Sequence, residues 1–182
     1  MKIAIDISQV VYEGTGVARY VRNLVLALVR SDRSSKYLLF GASLRRRRDL
    51  NEFVSEVREI NPEIESRIYP VPVSVLEYLW NRIHILPAEI FTGQVDVFIS
   101  SDWTQPPLRR AAGMTTIHDL SVYRYPAEFP RSVVAVQKRR LRHAAAVCSA
   151  FLCDSEASAR DAGKFLKIPG NRISVVYPGF SV

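Results

Sequence analysis

Cysteine is nearly absent from this chain, with two in 182 residues, Cys148 and Cys153. Their spacing fits neither a C-x-x-C redox pair nor a zinc site, so buried structural thiols are the expectation. Three histidines lie far apart and there is no Asp-x-Asp, so no metal site is expected. No apolar run reaches the ~18 residues of a membrane-spanning helix. The N-terminus carries a strand-like run containing Asp6 rather than the pattern of a signal peptide. These absences point to the cytoplasm. Low-complexity tracts and internal repeats are also missing, which removes solenoids and linker arrays.

What is present is a composition of 48% hydrophobic and 24% charged residues, enough to bury one sizeable core in a single domain over residues 1–182. Short apolar runs at residues 2–7, 37–40, 67–69, 96–99, 114–117, 151–153 and 173–176 read as seven strands, the second closed by Gly41. Helix-period segments separate most of them, at residues 17–28, 46–60, 131–145 and 155–166. A further one carries Val75, Leu76, Leu79, Trp80, Ile83 and Leu86 until Pro87 interrupts it. Strands alternating with helices predict an α/β fold with a doubly wound, mostly parallel seven-stranded sheet of Rossmann-like type. Right-handed crossovers then bring all strand C-termini to one crest.

The first thirty residues organise the rest. After the first strand comes the turn Glu13-Gly14-Thr15-Gly16, then a helix whose apolar face is Val17, Tyr20, Val21, Leu24, Val25 and Leu28. The glycines leave room for close backbone approach, Thr15 can cap the helix, and the helix N-terminus suits an anion. A tight turn without a ligand fits the same residues. Polar residues end the other strands: Asp6 and Ser8; Ser100, Ser101, Asp102 and Trp103; His118 and Asp119; Asp154, Ser155 and Glu156. That is the layout of an α/β active site. On position alone His118 serves equally as a structural histidine or a ligand-facing one, and Asp154 or Ser155 as a helix cap.

A net charge of +7 raises a second class of function, a module that binds nucleic acid or anionic membrane. The run from Arg45 to Arg48 is offset by Asp49, Glu52, Glu56 and Glu59. The excess sits in residues 105–145, with eight Lys or Arg against two acids. No nucleic-acid module is recognisable there, so an anionic membrane surface is the expected partner and nucleic acid is not. A solvated helix face is the alternative. A third class, a dinucleotide-dependent oxidoreductase, fits poorly. Arg19 occupies the third glycine position of G-x-G-x-x-G, and the second strand ends at Phe40-Gly41 without an acid.

Five blocks in order carry a resemblance: Lys-Ile-Ala-Ile-Asp with Gly14-Thr15-Gly16-Val17-Ala18-Arg19-Tyr20; Thr116-Ile117-His118-Asp119-Leu120; Tyr125-Pro126-Ala127-Glu128-Phe129-Pro130; Cys153-Asp154-Ser155-Glu156-Ala157-Ser158; and Ile173-Ser174-Val175-Val176-Tyr177-Pro178-Gly179. Together they resemble the N-terminal half of a group 1 glycosyltransferase, a retaining, nucleotide-sugar-dependent enzyme of the GT-B fold. The resemblance implies hexose transfer from a nucleoside-diphosphate sugar to a glycan or lipid-linked acceptor, with no cofactor. His118-Asp119-Leu120 with the downstream Pro126–Pro130 block looks closest to mannosyltransferases of polysaccharide biosynthesis, which suggests GDP-mannose. It also implies a C-terminal domain of the same enzyme, with most of the nucleotide contacts, beyond the closing block. The 182 residues alone are therefore expected to be inactive. By resemblance His118 is the catalytic residue beside the donor sugar, and the Gly14, Thr15, Gly16 loop approaches the diphosphate. Asp119 and Glu156 are further donor-side residues. Enzymes of this kind often build glycans on lipid carriers, which agrees with peripheral attachment at the inner face of the membrane.

Overall fold

The apolar runs pair into a single sheet because each is too short and too hydrophobic to stay solvated alone. In the computed structural model, which describes residues 1–179, the strands are β1 (Lys2–Asp6), β2 (Lys36–Ala42), β3 (Glu65–Tyr69), β4 (Val97–Ser100), β5 (Ala112–Ile117), β6 (Cys148–Cys153) and β7 (Ile173–Val175). Every neighbouring pair is parallel and the order is β3-β2-β1-β4-β5-β6-β7. The order reverses between β1 and β4, which opens a crevice at the crest of the doubly wound sheet. The last three residues of the predicted unit, 180–182, lie outside the described residues.

Register divides the side chains between two faces. Ile3, Ile5, Leu39, Ile99 and Met114 share one face, covered by α1 (Gly16–Ser31) and α2 (Arg47–Ile60) through Val21, Val25, Phe53 and Val57. Ala4, Leu38, Phe40 and Phe98 share the other. They pack under Leu76 of α3 (Val73–Leu76), Trp80 of the π-helical stretch Glu77–Arg82 that continues it, and Phe91 of α4 (Glu89–Thr92). The same face continues through Phe151 and Cys153 beneath α6 (Arg131–Val147) and α7 (Glu156–Leu166). A four-residue helix, α5 (Ser121–Arg124), lies between β5 and α6. Right-handed crossovers explain the division, since connections running toward β3 and toward β7 fall on opposite faces.

Two expectations need correction. Gly41 does not close the second strand. It sits inside β2, opposite Ile68, where a Cβ would come within 2.9 Å of Ile68 Cδ1 and 3.0 Å of Leu50 Cδ1, so packing excludes a side chain there. The segment carrying Val75 to Leu86 has no single apolar face: Leu76 and Trp80 are buried, whereas Val75, Ile83 and Leu86 are exposed. The helix also ends at Arg82, five residues before Pro87. Both cysteines are buried in β6, and burial pushes their thiols up to about 12 for Cys148 and about 11 for Cys153. Among the described residues no helix is long and apolar enough to cross a membrane.

Candidate functional site

The crest collects the ends of β1, β4, β5 and β6. β1 delivers Asp6, which is 1% exposed. Its Oδ1 accepts the Ser8 N–H at 2.9 Å and its Oδ2 the Thr104 hydroxyl at 3.4 Å. Burial raises this carboxyl against those hydrogen bonds. The glycine turn follows. Gly14 has φ +84°, a left-handed conformation that other residues adopt only with strain. Thr15 is the N-cap of α1, accepting the Ala18 N–H at 3.2 Å and donating its hydroxyl to Tyr12 O at 2.8 Å. The space where a Cβ would stand on Gly14 or Gly16 is empty to 4 Å, so a ligand can reach the backbone here.

One turn into α1, the Tyr20 ring meets the His118 ring edge-on, with centroids 4.8 Å apart and planes at 86°. Its hydroxyl lies 3.2 Å from Thr116 Oγ1. These contacts bring the glycine turn and the end of β5 to the same part of the crest. His118 Nδ1 lies 2.7 Å from Asp154 Oδ2, with both side chains about one-fifth exposed. Ser155 is the residue that caps α7, accepting the Ser158 N–H at 3.1 Å, which leaves Asp154 free for the imidazole. The Ser158 hydroxyl donates to His118 O at 2.8 Å and fixes the backbone beneath the ring. With Asp154 accepting an Nδ1 proton, Nε2 is left to meet a ligand, the usual way a carboxylate sets the working nitrogen of an imidazole.

β4 ends in Ser100 and runs into Asp102, whose orientation depends on a residue far along the chain. Arg140 of α6 is 1% exposed. Its Nη2 donates to Ser101 O at 2.9 Å, Thr115 Oγ1 at 2.6 Å and Thr116 O at 3.3 Å, and its Nη1 lies 3.6 Å from Asp102 Oδ1. One guanidinium thereby ties the ends of β4 and β5 together. Burial raises the Asp102 carboxyl, opposed by the charges of Arg140 and His118. Asp6, Tyr20, Asp102, Thr116 and His118 line a pocket of about 20 Å³. That is room for about one water, so any larger ligand would lie over these residues rather than inside them. Beside the glycine turn, Tyr12, Val17, Val73 and Trp103 line a hollow of about 480 Å³.

The remaining predicted residues are more peripheral. Asp119 is exposed and its Oδ1 accepts the Ser121 N–H at 2.7 Å, bracing the loop after β5. Glu156 is exposed in the first turn of α7. Among the described residues, no three His, Cys, Asp or Glu side chains converge as a metal-ligand set. The basic excess of residues 105–145 does not form one face. Arg140 is interior, Arg139 pairs with Glu77 at 3.0 Å, Arg124 pairs with Asp161, and Lys138 lies over the Tyr123 ring at 5.1 Å.

Sequence reasoning missed Tyr20, treated as core, and Arg140, treated as part of a surface charge cluster. It left Asp154 as a possible cap. The adjacent Asp-Ser pair did hold a signal for Asp154, because only one of the two can be the N-cap. Nothing local marked Arg140.

A family model described as Glycosyltransferase Family 4 matches residues 14–182. The chain belongs to glycosyltransferase family 4. Among solved structures, this glycosyltransferase domain is similar to Anabaena Alr3699/HepE, a protein crystallised in complex with UDP-glucose, at 15% identity and a TM-score of 0.54. The match covers 99% of the domain and 44% of that protein, so the domain spans less than half its length. At that identity the likeness establishes a shared Rossmann-like α/β fold. No curated protein sequence matches the domain.

Proposed function

We propose that this domain is the N-terminal, acceptor-side half of a GT-B glycosyltransferase that transfers a hexose from a nucleoside-diphosphate sugar with retention at the anomeric carbon. The observation that carries the reading is the His118–Asp154 pair at the end of β5, beside the capped and open Gly14–Gly16 turn. His118 Nε2 hydrogen-bonds the donor sugar and supports charge developing as the bond to the diphosphate breaks. The N-terminus of α1 faces the leaving phosphates, where its unpaired N–H groups oppose negative charge. Asp119 and Glu156 line the donor side at the rim. The crest pocket alone is too small to enclose a sugar, which supports a second wall from a C-terminal domain carrying most of the nucleotide contacts. The reaction needs no cofactor, and residues 1–182 alone turn over no donor.

The acceptor is a glycan or lipid-linked sugar. The hollow between Tyr12 and Trp103 supports its approach from the glycine-turn side, because aromatic faces suit sugar rings. GDP-mannose is the first donor to test, with UDP-glucose, the ligand of the similar structure, as its competitor. The enzyme works in polysaccharide biosynthesis in the cytoplasm.

The test is steady-state kinetics on the two-domain enzyme. His118→Ala should lower kcat about 10²–10³-fold, roughly 2.7–4 kcal/mol, with a much smaller rise in donor KM. Wild-type kcat per folded molecule would remove His118 from the chemistry.

A further inference from the structure

Residues 75–90 expose six large hydrophobic side chains, Val75, Tyr78, Ile83, Ile85, Leu86 and Ile90, each between 38% and 51% accessible. Isolated exposed apolar residues are ordinary, but six within one short segment form a patch. The backbone is shaped to display them. Tyr78 follows Val75 by one α-helical turn. The wider turn of Glu77–Arg82 then sends the Ile83 N–H to Tyr78 O at 3.2 Å, so Ile83 falls one turn beyond Tyr78 on the same side. Past the helix, His84 and Leu86 both take positive φ, 54° and 60°, conformations that non-glycine residues seldom hold without being pinned. The pins are the Trp80 indole donating to Leu86 O at 2.9 Å and His84 Nδ1 lying 2.7 Å from Trp80 O.

The exposed charged side chains at this patch are basic. Arg82 is exposed and stands over the Tyr78 ring at 5.6 Å. Arg109 and Arg110 are exposed and held next to α4, because Glu89 Oε1 accepts both of their backbone N–H groups at 2.8 and 2.9 Å. The two acids of the segment are committed elsewhere: Glu89 to those N–H groups and Glu77 to Arg139. An apolar strip with a tyrosine and a rim of free arginines matches the interface of an anionic bilayer, where apolar side chains enter the acyl boundary and basic ones meet the headgroups. The patch runs from the crest end of α3 down to where β4 and β5 begin.

We propose that residues 75–90, with Arg109 and Arg110, are an interfacial docking surface for an anionic lipid bilayer. This places the membrane contact away from α6, where Arg140 is buried and Arg139 is paired with Glu77. It stands or falls independently of the transfer chemistry.

The experiment is co-sedimentation of the 182-residue chain with vesicles of phosphatidylcholine alone and of phosphatidylcholine mixed with phosphatidylglycerol. Binding is expected only to the mixed vesicles and should weaken with salt. Arg82→Gln, Arg109→Gln and Arg110→Gln should each reduce affinity about fivefold, and together about a hundredfold. Changing Tyr78, Ile83 and Ile85 together to Ser should abolish sedimentation. Because both native cysteines are buried, Ile85→Cys can be labelled selectively with an environment-sensitive dye. Its emission should shift to the blue on adding mixed vesicles, while that of Ser55→Cys, exposed on α2, should not. This readout does not depend on whether the multiple variants fold. An unshifted emission, or no sedimentation of the unaltered chain at low salt, overturns the proposal. So does concentration-dependent dimerisation that the serine variant abolishes, which would assign the patch to a second copy.

Discussion

From β3 to β5 the sheet lies between two helix layers, whereas at β6 and β7 helices cover only one face. The doubly covered part buries Leu38, Phe40, Trp80 and Phe98 on one side and Ile5, Leu39, Phe53 and Val57 on the other. In the other part, Ala150 and Leu152 are half-buried and Ser174 is exposed on the face that α1 reaches only with its flank, through Tyr20 and Thr116. There, too, the largest fully buried side chain is Arg140 rather than an aromatic. A fully buried apolar side chain contributes about 1.5–3 kcal/mol, whereas a buried ion pair is close to neutral against an apolar replacement of the same shape. One end of the sheet supplies most of the stability. The other spends buried volume on a polar clamp that fixes the crest residues, and the His118–Asp154 pair stands on that end.

The contrast can be broken most directly by parallel substitutions at the two ends. Trp80→Ala removes a 0% exposed side chain from the doubly covered part and should cost about 3–5 kcal/mol by urea denaturation. Leu152→Thr, on the face of β6 that helices leave uncovered, keeps the strand propensity and should change stability by no more than about 0.5 kcal/mol. Equal losses would mean that the two ends share one core.

Arg140→Met tests the clamp. The methionine fills much of the space but leaves Ser101 O and Thr116 O without a donor, which should cost about 1–3 kcal/mol. A positioning role predicts more than lost stability. In the proposed two-domain enzyme, molecules that remain folded should show reduced kcat, because Asp102 and the end of β5 are no longer held in register. Unchanged kcat in the folded fraction would make Arg140 structural only.

The same contrast explains what could be read in advance. All seven strands were visible as short apolar runs, and their parallel pairing followed from the helices between them, because a strand carries its signal in its own composition. The Thr15 cap and the capping Ser155 were legible for a similar reason: caps act over three residues. What escaped depended on distance. Arg140 meets β4 and β5 across 24 to 39 positions of sequence, and no local pattern separates a buried arginine from the exposed Arg142 two residues on. The apolar residues Val75, Leu76, Leu79, Trp80, Ile83 and Leu86 were read at helical spacing up to Pro87. The wider π turn and two left-handed residues turn half of them outward.

The smallest effect concerns the seam where the two ends meet. His143 of α6 stacks on His84, with ring centroids 3.9 Å apart and planes at 25°, and its Nε2 is buried without a partner. Burial, reinforced by the charge of His84, lowers its pKa from 6.5 to about 4. The other groups at this seam are the Trp80 carbonyl facing His84 and the Arg139–Glu77 pair one turn back along α6. A histidine whose folded pKa is depressed binds fewer protons in the native state than in the unfolded chain. Its contribution is therefore intact above pH 6.5 and is lost progressively as the pH falls toward 4. The ring is only partly buried, so solvent screening keeps the slope below the roughly 1.4 kcal/mol per pH unit of a whole proton. His143→Phe preserves the stack and removes the titration. Its urea midpoint should fall less than that of the unaltered chain between pH 7 and pH 5. The buried Asp6 and Asp102, whose raised carboxyls give a slope of opposite sign, cancel in that comparison because both proteins carry them. Parallel curves for the two proteins would show that the seam does not respond to protons.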